Sequence, residues 1–99
     1  MPGYVIANYK INDTGAFEKY PPAVGPTLAQ YGGRLLVNDR QVRAVEGSPQ
    51  SVIVIVEFES VEAAQRWYDS PENKAVMGLR TSTTEGWLAI ADGFVMPEG

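Results

Sequence analysis

Arg80, Arg34 and Tyr20 are the residues of this 99-residue chain best equipped for chemistry, because it contains neither histidine nor cysteine. That removes the commonest general base, the commonest metal ligand, the thiol nucleophile and the proximal histidine of a haem site. No metal site and no cofactor are expected. Arg80 falls on the otherwise apolar side of a short helix with Ala75, Val76 and Leu79, and Arg34 follows the tight Gly32-Gly33 turn. Either guanidinium could grip a carboxylate as a bidentate fork. The plainer alternative for each is an ion pair with Glu46 or Glu57 that fixes helix to sheet. Tyr20 stands before Pro21-Pro22, where a break in the helix would open space above the sheet. Its phenol could donate to a ligand or exchange a proton; otherwise it is a core tyrosine with a satisfied hydroxyl.

The remaining polar candidates are weaker. Trp67-Tyr68 reads first as packing, although one of the two could line the same cleft. Asn8 shares a strand face with Tyr4 and Ile6, so it either meets a ligand or bonds to a neighbouring strand edge. Glu57 would be a general base only if buried, and exposure at a strand end is simpler. Glu57 and Glu59 face the same way, but two acids do not make the oxygen-rich shell of a hard cation. Gly32-Gly33 is no phosphate loop, since no Lys-Ser/Thr follows. The resulting assignment makes Tyr20 and Arg80 the catalytic candidates, with Arg34, Glu46, Trp67, Tyr68 and Asn8 as substrate-binding residues. A fixed positive charge in a partly dry cleft favours a small anion, most simply a carboxylate or enolate on an apolar body.

Positioning these groups falls to elements built around Ser51–Phe58, SVIVIVEF. Val52 to Val56 are five consecutive β-branched apolar residues, which read as a strand covered on both faces. Tyr4–Ile11 is the first strand. Asp13 or Thr14 caps a helix whose apolar face runs Phe17, Tyr20, Val24, Leu28 and Tyr31. Pro21-Pro22 should split it into pieces of about 14–20 and 22–31, bent at Tyr20. Gly32-Gly33 ends it through a left-handed turn. Arg34–Asn38 and Val42–Glu46 are short strand signals around Asp39-Arg40. Ser60 caps a second long helix with Glu62 in its first turn. Ser70-Pro71-Glu72 restarts the chain as a further helix, Trp87–Asp92 is the last strand, and Gly93–Gly99 is a tail.

The order β-α-β-β-α-β predicts an α+β, ferredoxin-like domain over residues 1–99, with a four-stranded antiparallel sheet and helices on one face. The uncovered face would then carry part of Val52–Val56, an apolar patch of a size rarely seen on monomers. Packing two such sheets together resolves this, so the expected partner is a second copy of the chain through the sheet face. The net charge of −4 argues against nucleic acid. No run approaches the roughly 18 apolar residues of a membrane span. The start, MPGYVIANYK, lacks a signal-peptide pattern, and with no cysteine the expected compartment is the cytoplasm.

At this level of detail the chain resembles the domain of unknown function 1330 family, within the dimeric α+β barrel superfamily. The likeness runs from about Tyr4 to Asp92. It rests on Tyr31-Gly32-Gly33-Arg34, Glu46-Gly47, Glu57-Phe58-Glu59-Ser60, Glu62-Ala63-Ala64, Trp67-Tyr68-Asp69-Ser70-Pro71-Glu72 and Leu79-Arg80. Asn73 stands where that family often has Tyr, and the Pro21-Pro22 pair is not typical of it. The resemblance implies a homodimer whose two sheets form a barrel, and no agreed activity. Three functional readings follow: a cofactor-independent enzyme acting on a small carboxylate or enolate, a non-catalytic ligand-binding or stress-related dimer, and a purely structural dimer.

Overall fold

The computed structural model describes residues 1–97. Four strands form one antiparallel sheet in the order β2-β3-β1-β4: β1 Gly3–Ile11, β2 Arg34–Asp39, β3 Val52–Phe58 and β4 Thr84–Asp92. Helices α1 (Thr14–Phe17) and α2 (Tyr20–Gln30) connect β1 to β2. Helices α3 (Val61–Asp69), α4 (Pro71–Val76) and α5 (Gly78–Thr81) connect β3 to β4. This is the expected ferredoxin-like arrangement, with the apolar β3 in the interior of the sheet between β2 and β1. The tail expected over Gly93–Gly99 leaves β4 with the Gly93 N–H donating to the Pro2 carbonyl at 2.8 Å. Its last two positions, 98 and 99, lie outside the described residues.

Strand register decides which residues face the helices. Val5 pairs with Val56 and Ile90, Ala7 with Val54 and Leu88, and Tyr9 with Val52. These residues line the helix side, where Phe17, Tyr20, Val24, Ala63, Ala64 and Trp67 complete the buried core. The opposite parity, Ile53 and Ile55, therefore lies on the uncovered side with Ile6, Val37, Trp87 and Ala89. Trp87 is 54% exposed there.

Three local departures from the sequence expectation have plain causes. The helix break falls at Glu18-Lys19 rather than at Tyr20, so Pro21 and Pro22 sit in the first turn of α2. There the missing N–H groups would have had no helical partner. Val42–Glu46 is not a strand; an Asx turn, with the Gln41 N–H donating to Asp39 Oδ1 at 2.7 Å, ends β2 and begins a loop. That loop meets the sheet again where the Val42 N–H donates to the Ser51 carbonyl at 3.1 Å. The last strand starts at Thr84, not Trp87, and the added residues pair with the end of β1, where Lys10 and Glu85 form an ion pair at 3.3 Å.

The caps behave as the sequence implies. The Ser60 hydroxyl accepts from the Ala63 N–H at 3.0 Å and the Ser70 hydroxyl from the Asn73 N–H at 3.1 Å. Gly32, with φ of 77°, closes α2 in the left-handed region that a Cβ would disfavour.

Candidate functional site

Between α1–α2 and the helix side of the sheet lies a cavity of about 150 Å³. Its floor is Val5, Ala7, Tyr9, Leu35, Val54, Val56 and Leu88; its roof is Phe17, Tyr20, Pro21, Val24, Gly25 and Leu28. Trp67, Asn38, Arg40 and Arg80 complete the wall. An apolar cavity of that size can hold a molecule comparable to benzene. The space exists because the chain breaks between α1 and α2 and because Pro21 opens the new helix, so the roof cannot settle on the sheet as one continuous rod.

Arg80 is the exceptional member of this wall. It is carried by α5 and only 9% exposed, and its Nε is fully buried without a hydrogen-bond partner. Among the described residues it makes no ion pair. Its guanidinium carbon lies 5.9 Å from the centroid of the Tyr20 ring. The backbone here is held independently: the hydroxyls of Thr83 and Thr84 donate to the Arg80 carbonyl at 3.2 and 2.7 Å. A buried guanidinium without an acid is rare, since burying a charge costs several kcal/mol unless it is paired.

Two phenols share the space. Burial pushes the Tyr20 hydroxyl above the ordinary 10.0, and the Arg80 guanidinium beside it opposes that rise. Burial likewise raises Tyr9; the neighbouring Tyr20 adds to the rise, while Arg80 and Arg40 oppose it. Both phenols are therefore neutral near pH 7 and able to donate. The rings of Tyr9, Phe17 and Tyr20 touch in sequence at tilted angles, with centroids 5.9 and 5.7 Å apart. Trp67 closes one wall, its indole N–H donating to the Thr27 hydroxyl at 3.0 Å, which in turn donates to the Val24 carbonyl at 2.7 Å.

Of the residues singled out from sequence, Tyr20, Arg80 and Trp67 meet at this cavity. The others do not line it. Arg34 lies 2.6 Å from Glu57, to which the Tyr4 hydroxyl also donates at 3.3 Å. That cluster lies on the opposite, uncovered face of the sheet, where Arg34 pairs with Glu57 and Glu57 with Tyr4 across the strands, one residue along from the cavity-floor residues Leu35, Val56 and Val5. Glu46 is exposed in the loop between β2 and β3. Tyr68 is half-buried and packs edge-on against Trp67, with centroids 6.3 Å apart. Asn8 is tied to the chain entering β3: it donates to the carbonyls of Gln50 and Val52 at 3.0 and 2.9 Å and accepts from the Gln50 N–H at 3.1 Å.

Sequence reasoning missed Tyr9 and Arg40. Tyr9 had a usable signal, since it shares strand parity with Val5 and Ala7. Arg40 had none, because a bulge between Leu35 and Val37 resets the parity of β2 before Arg40 is reached.

A single antiparallel sheet in the order β2-β3-β1-β4 with helices on one side makes this a ferredoxin-like α+β protein. The chain belongs to the DUF1330 family, a domain of unknown function, whose model matches residues 2–94. Among solved structures it is similar to RPA0582, a protein of unknown function from Rhodopseudomonas palustris. That match has 15% identity, a TM-score of 0.78, and covers 96% of this chain and 84% of that one. It is also similar to a dimeric protein of unknown function with a ferredoxin-like fold from Bacteroides fragilis NCTC 9343. Here identity is 12% and the TM-score 0.63, over 93% of this chain and 96% of the other. A dimeric ferredoxin-like protein of unknown function from Thermobifida fusca YX matches at 14% identity and TM-score 0.63, over 93% and 91%. No curated protein gives a significant match. Among the described residues no helix is long and apolar enough to cross a membrane.

Proposed function

We propose that this protein is a cytoplasmic homodimer in which each subunit, one ferredoxin-like domain, binds a small organic anion in the cleft between α2 and the sheet. The observation that carries the reading is Arg80: a buried guanidinium bordering an apolar cavity, with its Nε unpartnered. A carboxylate or enolate would supply the missing acceptor, and Tyr20 would donate a second hydrogen bond to it. The ligand's apolar body would lie against Trp67, Val54 and Leu88.

Dimerisation is supported by the uncovered sheet face, where Ile53, Ile55 and Trp87 face away from the helices. The Bacteroides and Thermobifida neighbours are themselves described as dimeric. Two such faces packed together would form the barrel core and remove the patch from water.

Cofactor-independent catalysis on an enolate would use Arg80 to hold the developing charge and Tyr20 as a proton donor. One observation favours binding without turnover. No carboxylate lines the cavity among the described residues, and phenols with raised pKa are poor bases.

A thermal-shift and calorimetric screen of small carboxylic acids against wild type, Arg80→Met and Tyr20→Phe tests the reading. It expects saturable binding that vanishes in Arg80→Met and weakens in Tyr20→Phe while both variants stay folded. Binding that survives in Arg80→Met refutes the assigned anchor, and the absence of any binding refutes the cleft.

A further inference from the structure

The cleft carries a second cation. Arg40 also lines it, at the mouth, with its guanidinium carbon 5.1 Å from the centroid of the Phe17 ring. Phe17 and Tyr20 are in contact, their rings tilted by 50° at 5.7 Å, so each ring of one aromatic pair carries its own guanidinium, Arg40 on Phe17 and Arg80 on Tyr20. The β2 bulge re-aims the end of the strand that leads into Arg40. Leu35 faces the helices, and after the bulge Asn38, opposite Val54, faces them too; Arg40 follows just past the end of β2 and lines the same cavity. Strand bulges are a recurrent means of re-aiming a side chain beside a site.

Resting on the anion-cleft reading, we propose that the ligand is a small dicarboxylate with an apolar spacer. Arg80 holds one carboxylate in the depth of the cleft and Arg40 holds the other at its mouth. The charge distribution supports this. The chain has a net charge of −4, yet two of its eight basic residues border one cavity whose lining contains no acid.

Arg40 also has a protein partner: its Nη1 lies 2.5 Å from Glu18 Oε1 and its Nη2 3.5 Å from Oε2. Glu18 is exposed, however, and exposed pairs contribute little, so a ligand carboxylate can take its place and release it to water. The stack on Phe17 keeps Arg40 at the mouth when Glu18 leaves.

The test is calorimetric titration with succinate, glutarate, adipate and suberate, each against the monocarboxylate of the same chain length, on wild type, Arg40→Gln, Glu18→Gln and Arg80→Met. In wild type at least one diacid binds about tenfold or more tightly than its monoacid. Arg40→Gln, a change at a partly exposed side chain, brings the diacid-to-monoacid affinity ratio down to about one. Glu18→Gln leaves Arg40 in place, removes the competing carboxylate and strengthens diacid binding. Arg80→Met loses both ligands. If monoacids bind but no diacid binds better, or if the preference survives Arg40→Gln, the two-cation proposal is overturned while the cleft reading stands. If no acid binds wild type, both fall together.

Discussion

Replacing Arg80 by methionine should make the unliganded protein more stable, which is the reverse of what removing a structural arginine does. The buried guanidinium has no acidic partner among the described residues, and its Nε has no hydrogen bond. An unpaired buried ion carries a penalty of several kcal/mol even after relaxation. The contact with the Tyr20 ring offsets about 0.5–2 kcal/mol of that. Methionine preserves most of the apolar stem, needs no partner and fills irregular space readily. The balance is a gain of about 1–3 kcal/mol. For a chain of this size each kcal/mol moves Tm by about 4–8 °C. Urea unfolding followed by tryptophan fluorescence reads it directly, since Trp67 is buried in the core beside the site. A saturating ligand should reverse the ranking, because only wild type gains binding free energy. If Arg80→Met is instead less stable than wild type by a kcal/mol or more without ligand, the arginine holds the fold together and the reasoning fails.

Further outcomes follow from the same geometry. Ile53→Glu places a charge on the uncovered sheet face and should yield a folded monomer by light scattering, whereas Val54→Glu points at the cavity and should unfold the chain; a wild-type monomer would remove the barrel. Asn8→Ala strips three hydrogen bonds from the chain entering β3 and should cost about 1–3 kcal/mol in urea unfolding; no loss would mean that Gln50 is held some other way. Tyr9 and Tyr20 have folded-state pKa values raised above 10.0, so their stabilising contribution is intact below pH 10 and is lost as pH rises through the folded values. Tm should fall above pH 10, Tyr20→Phe should blunt that fall, and ultraviolet titration should show these two phenols ionising late.

The fold was legible in the chain because its signals are local and strong. The β-branched run Val52–Val56, the serine caps at Ser60 and Ser70 and the Gly32 turn each specify one backbone geometry, and together they leave few topologies. The parity of the central strand was not legible, since Ile53 and Val54 are chemically alike and only pairing with β1 separates them. The site was half legible. Arg80 announced itself as a charge on an apolar helix face, and Tyr20 as a ring beside a proline pair. Arg34 matched the alternative of a Glu57 ion pair, because a residue opening an edge strand meets whatever lies across the ladder. Arg40 was invisible because it depends on a one-residue bulge, which shifts the face of every later side chain and leaves no mark in composition or periodicity.

The measurement that bears most directly on the central claim is a crystal structure of the protein with the tightest-binding small acid. The account predicts a carboxylate inside the cavity, within hydrogen-bond distance of the Arg80 guanidinium and the Tyr20 hydroxyl, with its apolar body against Trp67. An acid bound elsewhere, or Arg80 paired to a protein carboxylate with the cavity filled by side chains, would contradict it.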